Sequence, residues 1–380
     1  MELNGSFSLT NCTSNDTCNV SHTLQDRHDV HVFYAVFIPT LCFLITFGNM
    51  GTIFAFWKLP SLREKPSELL ILSLSCADLI TGMIVIPLFS PVYVTPGNWP
   101  FKEVTCRIFI FFMDLAVHAS LFSLCMISMD RFLLVYKEYP QYVKIQSHLR
   151  IKTSLAIGWT FSLITGLIEF FMWDVAKTLD ETALLIDYTK HCLSPPRRMR
   201  SFALPFFLTL YFFPVVLVCS LSASIFYRLH QRLNTSWGMR ADSQLSKTSN
   251  ATQDTSAHKA MTAQLRNRYI KPAVTLLVLV SAMAVCMLPY CVHVIVVEVF
   301  CTDCANNHTL YALILFQFCN AALDPLMYAL TQKKIQRFYK ARLKMLTRKT
   351  VPLSNRSGDQ MQQRHKLAIS SNDKTTCNQI

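Results

Sequence analysis

The sequence predicts an all-α membrane protein, a seven-transmembrane helix bundle followed by a short amphipathic cytoplasmic helix. Two observations lead there. Its 380 residues are 52% hydrophobic and only 16% charged, against roughly 25% charged in a soluble domain. The apolar residues also gather into seven long runs: His31 to Trp57, Leu69 to Val92, Val104 to Tyr136, Thr153 to Trp173, Ser201 to Tyr227, Pro272 to Val297 and His308 to Leu330. Of 36 Lys and Arg and 23 Asp and Glu, these runs hold Asp78, Arg107, Asp114, Asp130, Arg131, Glu169 and Asp324 and no others. About 20 helical residues cross ~30 Å of hydrocarbon with every backbone hydrogen bond satisfied internally, so each run is long enough to span.

Residues 1–30 carry four Asn-x-Ser/Thr sequons, at Asn4, Asn11, Asn15 and Asn19. That modification is made in the lumen, so a glycosylated extracellular amino terminus is expected. No apolar signal core precedes the first run, which is therefore expected to act as its own signal anchor. With the amino terminus outside, 28 of the 36 Lys and Arg fall on the cytoplasmic parts, as the positive-inside bias requires. The net charge of +13 then sets topology and attracts the anionic inner leaflet of the plasma membrane. It does not mark a nucleic-acid partner. Arg197, Arg198 and Arg200, beside the fifth run, are the outward exception.

The connecting segments follow in order. Cys106 heads the third run, Cys192 precedes the fifth, and Cys301 and Cys304 lie between the sixth and seventh, all on the side where disulfides persist. A Cys106–Cys192 bond would tie the third helix to the second outer loop, and Cys301 with Cys304 would close the third. Read as a zinc or redox pair, Cys301-x-x-Cys304 lacks a second pair of ligands. Residues 229–270 are polar and read as a flexible third cytoplasmic loop within a seven-helix domain covering 31–331; residues 348–380 read as a disordered tail. Between them, in 332–347, Ile335, Phe338, Tyr339, Leu343 and Met345 recur at near-helical spacing among basic residues, as in a helix lying on a membrane surface.

One set of motifs is ordered along the runs. It comprises Gly48-Asn49 in the first, Leu74 and Ala77-Asp78 in the second, Cys106 and Asp130-Arg131-Phe132 in the third, and Trp159 in the fourth. Pro214 stands in the fifth, Cys286 and Pro289 in the sixth, and Asn320 with Asp324-Pro325-Leu326-Met327-Tyr328 in the seventh. Through these residues the chain, from 31 to 347, resembles the rhodopsin-like (class A) G-protein-coupled receptors. Its texture is closest to the muscarinic and histamine-type aminergic members, in Asn98-Trp99-Pro100, Cys301-x-x-Cys304 and the Asn320 to Pro325 run. The resemblance implies an extracellular ligand bound within the bundle and a heterotrimeric G protein on the inner side. It implies a switch at Asp130, Arg131 and Tyr328, and a polar cluster of Asn49, Asp78, Ser120, Asn320 and Asp324 around an allosteric sodium ion. A sodium-free hydrogen-bonded core is the alternative. Pro289 and Pro325 are expected to kink their helices and serve as pivots. Ser and Thr in the third loop and tail suggest receptor kinases and arrestin.

Three departures stand out. Met287 takes the position where the family usually carries Trp, Ser222 replaces the Tyr expected on the inner half of the fifth helix, and no acid near Tyr269 can latch Arg131. A weakened resting latch predicts elevated basal signalling.

For the ligand, the family's amine-binding Asp position is Met113 here, and the acid follows one residue later at Asp114. One residue is about 100° around a helix, so Asp114 points elsewhere. Either it still borders the cavity, pairing with an ammonium under Tyr290 and His293, or it is a structural charge paired with Arg107 or hydrogen-bonded to another helix. Phe206, Phe207 and Phe318 make the expected cavity more apolar than an amine site, so a lipid or peptide ligand, or a decoy receptor, stays open. His118 is expected to be structural. Glu169 faces either headgroups or the cavity. The seventh run has no Lys for a retinal Schiff base, no inverted repeat marks a transporter, and no catalytic constellation, cofactor or further metal site is expected.

Overall fold

The computed structural model describes residues 16–93, 99–179, 192, 200–245, 271–299, 307–331 and 333–350. The described residues are helical between short connections, with seven helices long and apolar enough to cross a membrane: Val32–Lys58, Glu68–Tyr93, Glu103–Tyr136, His148–Met172, Leu204–Gln231, Leu276–Val297 and Thr309–Leu330. They match the seven apolar runs to within a few residues at each end. The third helix is central, packing against the second, fourth, fifth and sixth.

The exposed and buried faces invert the pattern of a soluble protein. Phe43, Trp57, Ile157, Phe161, Phe171, Phe213, Val285 and Leu326 are exposed, while Asn49, Asp78, Asp114, His118, Glu169, Asn320 and Asp324 are buried. Hydrocarbon is as apolar as leucine, so membrane helices gain little by hiding leucines; small residues and polar links bring them together instead. Gly48 illustrates this, since a Cβ there would lie 2.8 Å from the Pro325 ring of the seventh helix. At Gly158 in the fourth helix a Cβ would lie 2.1 Å from the Phe122 ring of the third. Trp159 Nε1 donates to Ser73 Oγ at 3.0 Å, and Ser73 in turn hydrogen-bonds Ser123 at 2.9 Å, joining helices four, two and three.

Two helices contain a π turn, Thr81–Val85 in the second and Leu208–Phe212 in the fifth. Each ends two residues before a proline, Pro87 or Pro214. Proline lacks an N–H, which leaves a carbonyl in the preceding turn without its helical donor, and one extra residue in that turn accommodates the gap.

The fifth helix runs on as Phe213–Leu245, so the first part of the segment read as a loop continues the helix. Residues 229–245 contain no proline and many good helix formers, and adding a residue to an existing helix is far easier than starting one. The first helix likewise begins at Asp16 and takes in Asn19. Asn4, Asn11, Asn15, Cys301 and Cys304 lie outside the described residues.

Residues from Ala329 onward form a second unit. Its helix, Lys333–Thr350, has Ile335 fully buried, Phe338 and Tyr339 half-buried with ring centroids 5.9 Å apart, and Arg342 stacked over Phe338 at 5.6 Å. Apolar and basic positions alternate as the sequence predicts, with arginine stems covering aromatic surface.

Candidate functional site: two acids in a helix bundle

The Cys106–Cys192 disulfide, with Cα atoms 5.6 Å apart, marks one end of the bundle. Just inside that end, helices one, two, three and seven meet in an aromatic cluster. Phe89 lies 5.2 Å from Phe109, 5.6 Å from Tyr311 and 6.3 Å from Phe318, and Tyr93 donates its hydroxyl to the Tyr311 carbonyl at 2.6 Å. On the opposite side, Phe207 of the fifth helix touches Tyr290 of the sixth at 6.1 Å and stacks on Tyr211 at 5.4 Å. Met113 and Tyr290 are buried, and His293 is half-buried. The residues expected to shape a ligand cavity therefore do stand on facing helices.

Asp114, only 3% exposed, accepts a hydrogen bond from the Tyr211 hydroxyl at 2.5 Å. The π turn Leu208–Phe212 carries Tyr211, which places the phenol against the third helix. One turn further along, His118 Nδ1 hydrogen-bonds Thr165 Oγ1 of the fourth helix at 2.9 Å, and its ring lies 4.9 Å from that of Tyr211. Asp114, Tyr211, His118 and Thr165 thus link helices three, four and five. Of the two readings of Asp114, this geometry matches the hydrogen bond to another helix. Pairing with Arg107 is corrected: Arg107 Nε donates to Glu103 at 3.0 Å, one turn away on its own helix. Glu169, at 4% exposure, is buried in the bundle and does not face lipid headgroups.

Deeper in the bundle lies the second acidic site. Asp78 is 1% exposed and Asp324 0%, and the two carboxyls are close enough to feel each other's charge. Ser120 Oγ donates to Asp78 Oδ1 at 3.2 Å. Asn49 spends its amide on the Ile45 and Ala321 carbonyls, at 3.1 and 3.0 Å. Among the described residues no N–H or hydroxyl reaches Asp78 Oδ2, either Asp324 oxygen, Asn49 Oδ1 or Asn320 Oδ1, although the two carboxyls are near enough for one of them, when protonated, to donate to the other. Asp78, Ser120, Asn320, Gln317, Met287 and Phe318 are among the residues lining a cavity of about 40 Å³. Of the polar cluster read from the sequence, Asp78, Ser120 and Asn320 line one cavity, Asp324 lies beside Asp78, and Asn49 ties the first helix to Ala321, next in sequence to Asn320. Unmatched acceptors buried in hydrocarbon cost several kcal/mol each, roughly, so this set calls for a cation or for donors carried by water.

At the end away from the disulfide, Arg131 Nη1 pairs with Asp130 Oδ2 at 3.1 Å. Asp130 Oδ1 accepts a hydrogen bond from Tyr142 Oη at 2.9 Å and another from Gln146 Nε2, both from the short helix Tyr139–Ile145 and its cap. Burial first, and then the charge of Asp130, raise the Tyr142 phenol pKa above its usual value, which keeps it a donor. Beside it, Tyr136 donates to the Ser224 carbonyl at 3.1 Å, and Arg228 lies over the Tyr136 ring at 5.8 Å. Sequence reasoning found Asp130 and Arg131 but missed Tyr142 and Gln146, because a short loop helix has little hydrophobic periodicity. It also missed Tyr211, for which the proline three residues later was an available signal.

Tyr328 is fully buried, with its hydroxyl near the Asp78 and Asp324 charges. The pair of buried acids and Tyr328 of the seventh helix therefore adjoin.

Comparison with known proteins agrees with this arrangement. The family model described as "7 transmembrane receptor (rhodopsin family)" matches residues 48–328. Trace amine-associated receptor 9 of Rattus norvegicus is 27% identical over 298 residues, covering 78% of this chain and 82% of that receptor. Adenosine receptor A3 of Ovis aries is 27% identical over 308 residues, 79% of this chain and 85% of that one. A D(1)-like dopamine receptor of Takifugu rubripes is 25% identical over 330 residues, 80% and 69% respectively. With seven spanning helices, an ordered set of motifs on all of them and a family model covering most of its length, this chain belongs to the rhodopsin family of seven-transmembrane receptors.

Proposed function

We propose that this receptor responds to a small extracellular amine and signals through a heterotrimeric G protein. It would sit in the plasma membrane with the disulfide end outside and the Asp130 end facing the G protein. The observation that carries the amine reading is the charge of the bundle interior. Asp78 and Asp324 are buried to 1% or less and lie side by side, whereas the arginines of the third helix, Arg107 and Arg131, stand near its two ends beside acids of their own. A low-dielectric interior with excess negative charge favours a cationic guest. The names of the trace amine and dopamine receptors among the relatives point the same way.

A sodium ion fits the Asp78–Asp324 site as an allosteric partner. Asp78, Asp324, Asn320, Asn49 and Ser120 would hold it through hard oxygen donors, and it would supply the positive charge that two neighbouring carboxylates need. Asp130, freed from Tyr142 and Gln146, would release Arg131 toward the G protein. Receptor kinases and arrestin would act on the Ser/Thr-rich third loop and tail.

A second reading, a lipid or other apolar ligand, draws on the Asp114–Tyr211 bond, which already engages the acid nearest the aromatic wall. The test is G-protein activation by panels of biogenic amines, lipids and peptides. Activation by at least one amine is expected; activation confined to lipids or peptides overturns the amine reading.

A further inference from the structure

The helix Lys333–Thr350 carries eight of the chain's 36 Lys and Arg and no Asp or Glu. Its charge is spread around the helix rather than kept to the edges of an apolar side. Ile335 is fully buried, while Arg337, Lys340 and Lys344, spaced by three and four residues, form an exposed row. At 100° per residue that row stands roughly opposite Ile335. Arg342, also exposed, falls on the Ile335 side and lies over the Phe338 ring at 5.6 Å. Phe338, half-buried, and Met345, 50% exposed, are seven residues apart and so share a side as well. A membrane touches one side of a helix only. With its side chains a helix is about 10–12 Å across, and charges are screened over ~8 Å at physiological ionic strength. When the apolar side lies on lipid, the row opposite Ile335 therefore adds little to the attraction. A groove that closes around the helix meets basic residues on every side.

We propose that this helix is a docking segment for an acidic calcium-sensor protein, one whose methionine-rich groove opens on binding calcium and encloses a basic amphipathic helix. Phe338 and Met345 enter the groove as apolar anchors two helical turns apart, and Arg337, Lys340, Arg342 and Lys344 meet its acidic rims. Ile335, already buried, stays with its own chain. Lipid and sensor compete for the same apolar anchors, so a rise in calcium draws the helix off the inner leaflet. The inference rests on the orientation given above, in which the chain after the seventh helix is cytosolic. The identity of the extracellular ligand does not enter it.

The test is binding of fluorescently labelled calmodulin, as the acidic calcium sensor, to the purified full chain in phosphatidylcholine nanodiscs. These leave both faces accessible, so the outcome depends neither on orientation nor on the amine reading. Binding is expected in calcium. Chelation closes the groove and should weaken it roughly a hundredfold, about tenfold for each of two anchors. Met345→Gln keeps the helix propensity and should weaken it roughly tenfold. Arg337→Gln with Lys340→Gln and Lys344→Gln should weaken it and flatten its salt dependence, whereas Arg337→Lys with Lys340→Arg and Lys344→Arg should leave both unchanged. Adding phosphatidylserine to the discs should cost roughly tenfold or less, because the outward row gains little from lipid. No binding, equal binding with and without calcium, or full affinity in the glutamine variants overturns the proposal. Binding that vanishes with phosphatidylserine overturns it in favour of the membrane as the partner of this helix.

Discussion

Asp114 and Asp78 are both aspartates buried in a spanning helix, yet they sit in opposite surroundings. Asp114 meets a tyrosine hydroxyl brought to it by a neighbouring helix, whereas Asp78 faces a second carboxyl and has an oxygen that no N–H or hydroxyl among the described residues reaches. Burial alone therefore does not separate a structural acid from a binding acid. What separates them is whether the fold itself supplies the hydrogen-bond donors, because a satisfied acceptor stabilises the fold and an unsatisfied one recruits a guest.

Substitutions break or sharpen this contrast. The largest effect is expected at the binding acid. Asp78→Asn removes one of two adjacent carboxylates and should abolish the sodium dependence of thermal stability, and stability measured with sodium replaced by choline should stay level or rise as the repulsion is relieved. Next comes Tyr211→Phe, which takes the phenol donor from Asp114 and should cost about 1–3 kcal/mol, read as a lower unfolding midpoint with or without sodium. Asp114→Asn keeps an acceptor for the tyrosine and should cost less.

At the far end of the bundle, Tyr142→Phe removes one donor from Asp130. If that bond contributes about 1 kcal/mol to the resting state, basal signalling at matched surface expression should rise on the order of fivefold. The raised phenol pKa fixes the sign of its pH response. A phenol donates while protonated, so its contribution persists through the physiological range and is lost only once pH climbs past the raised value. Basal activity that rose steadily between neutral and mildly alkaline pH, and did so less in Tyr142→Phe, would contradict this. The smallest effect is expected from His118→Phe, which removes the link to Thr165 and should cost roughly 0.5–1.5 kcal/mol without altering the sodium response.

The spanning helices were readable from apolar run length, and the buried acids Asp78 and Asp324 from being charged residues within apolar runs, because both signals are local. The resting latch shows where local reading stops. The absence of an acid near Tyr269 predicts a loose switch, but Tyr142 and Gln146 hold Asp130 from a short helix whose position depends on tertiary packing. Asp114 gives the same lesson. Counting residues shows that it is turned about 100° from Met113, but the group it turns toward depends on a π turn in another helix.

The π turn Leu208–Phe212 also acts as a slipped tooth in the ruler by which positions are transferred between related receptors. Against an unbroken α-helix counted back from Pro214, every residue on the disulfide side of the turn is about one step out of phase. Deleting a single residue inside this turn would let the helix close to ordinary α geometry. The part that carries Phe207 would then rotate by about 100°, turning away from Tyr290 a ring that now meets it at 6.1 Å. Five consecutive backbone units, none of them charged, thereby set the face that the fifth helix presents to whatever enters the bundle.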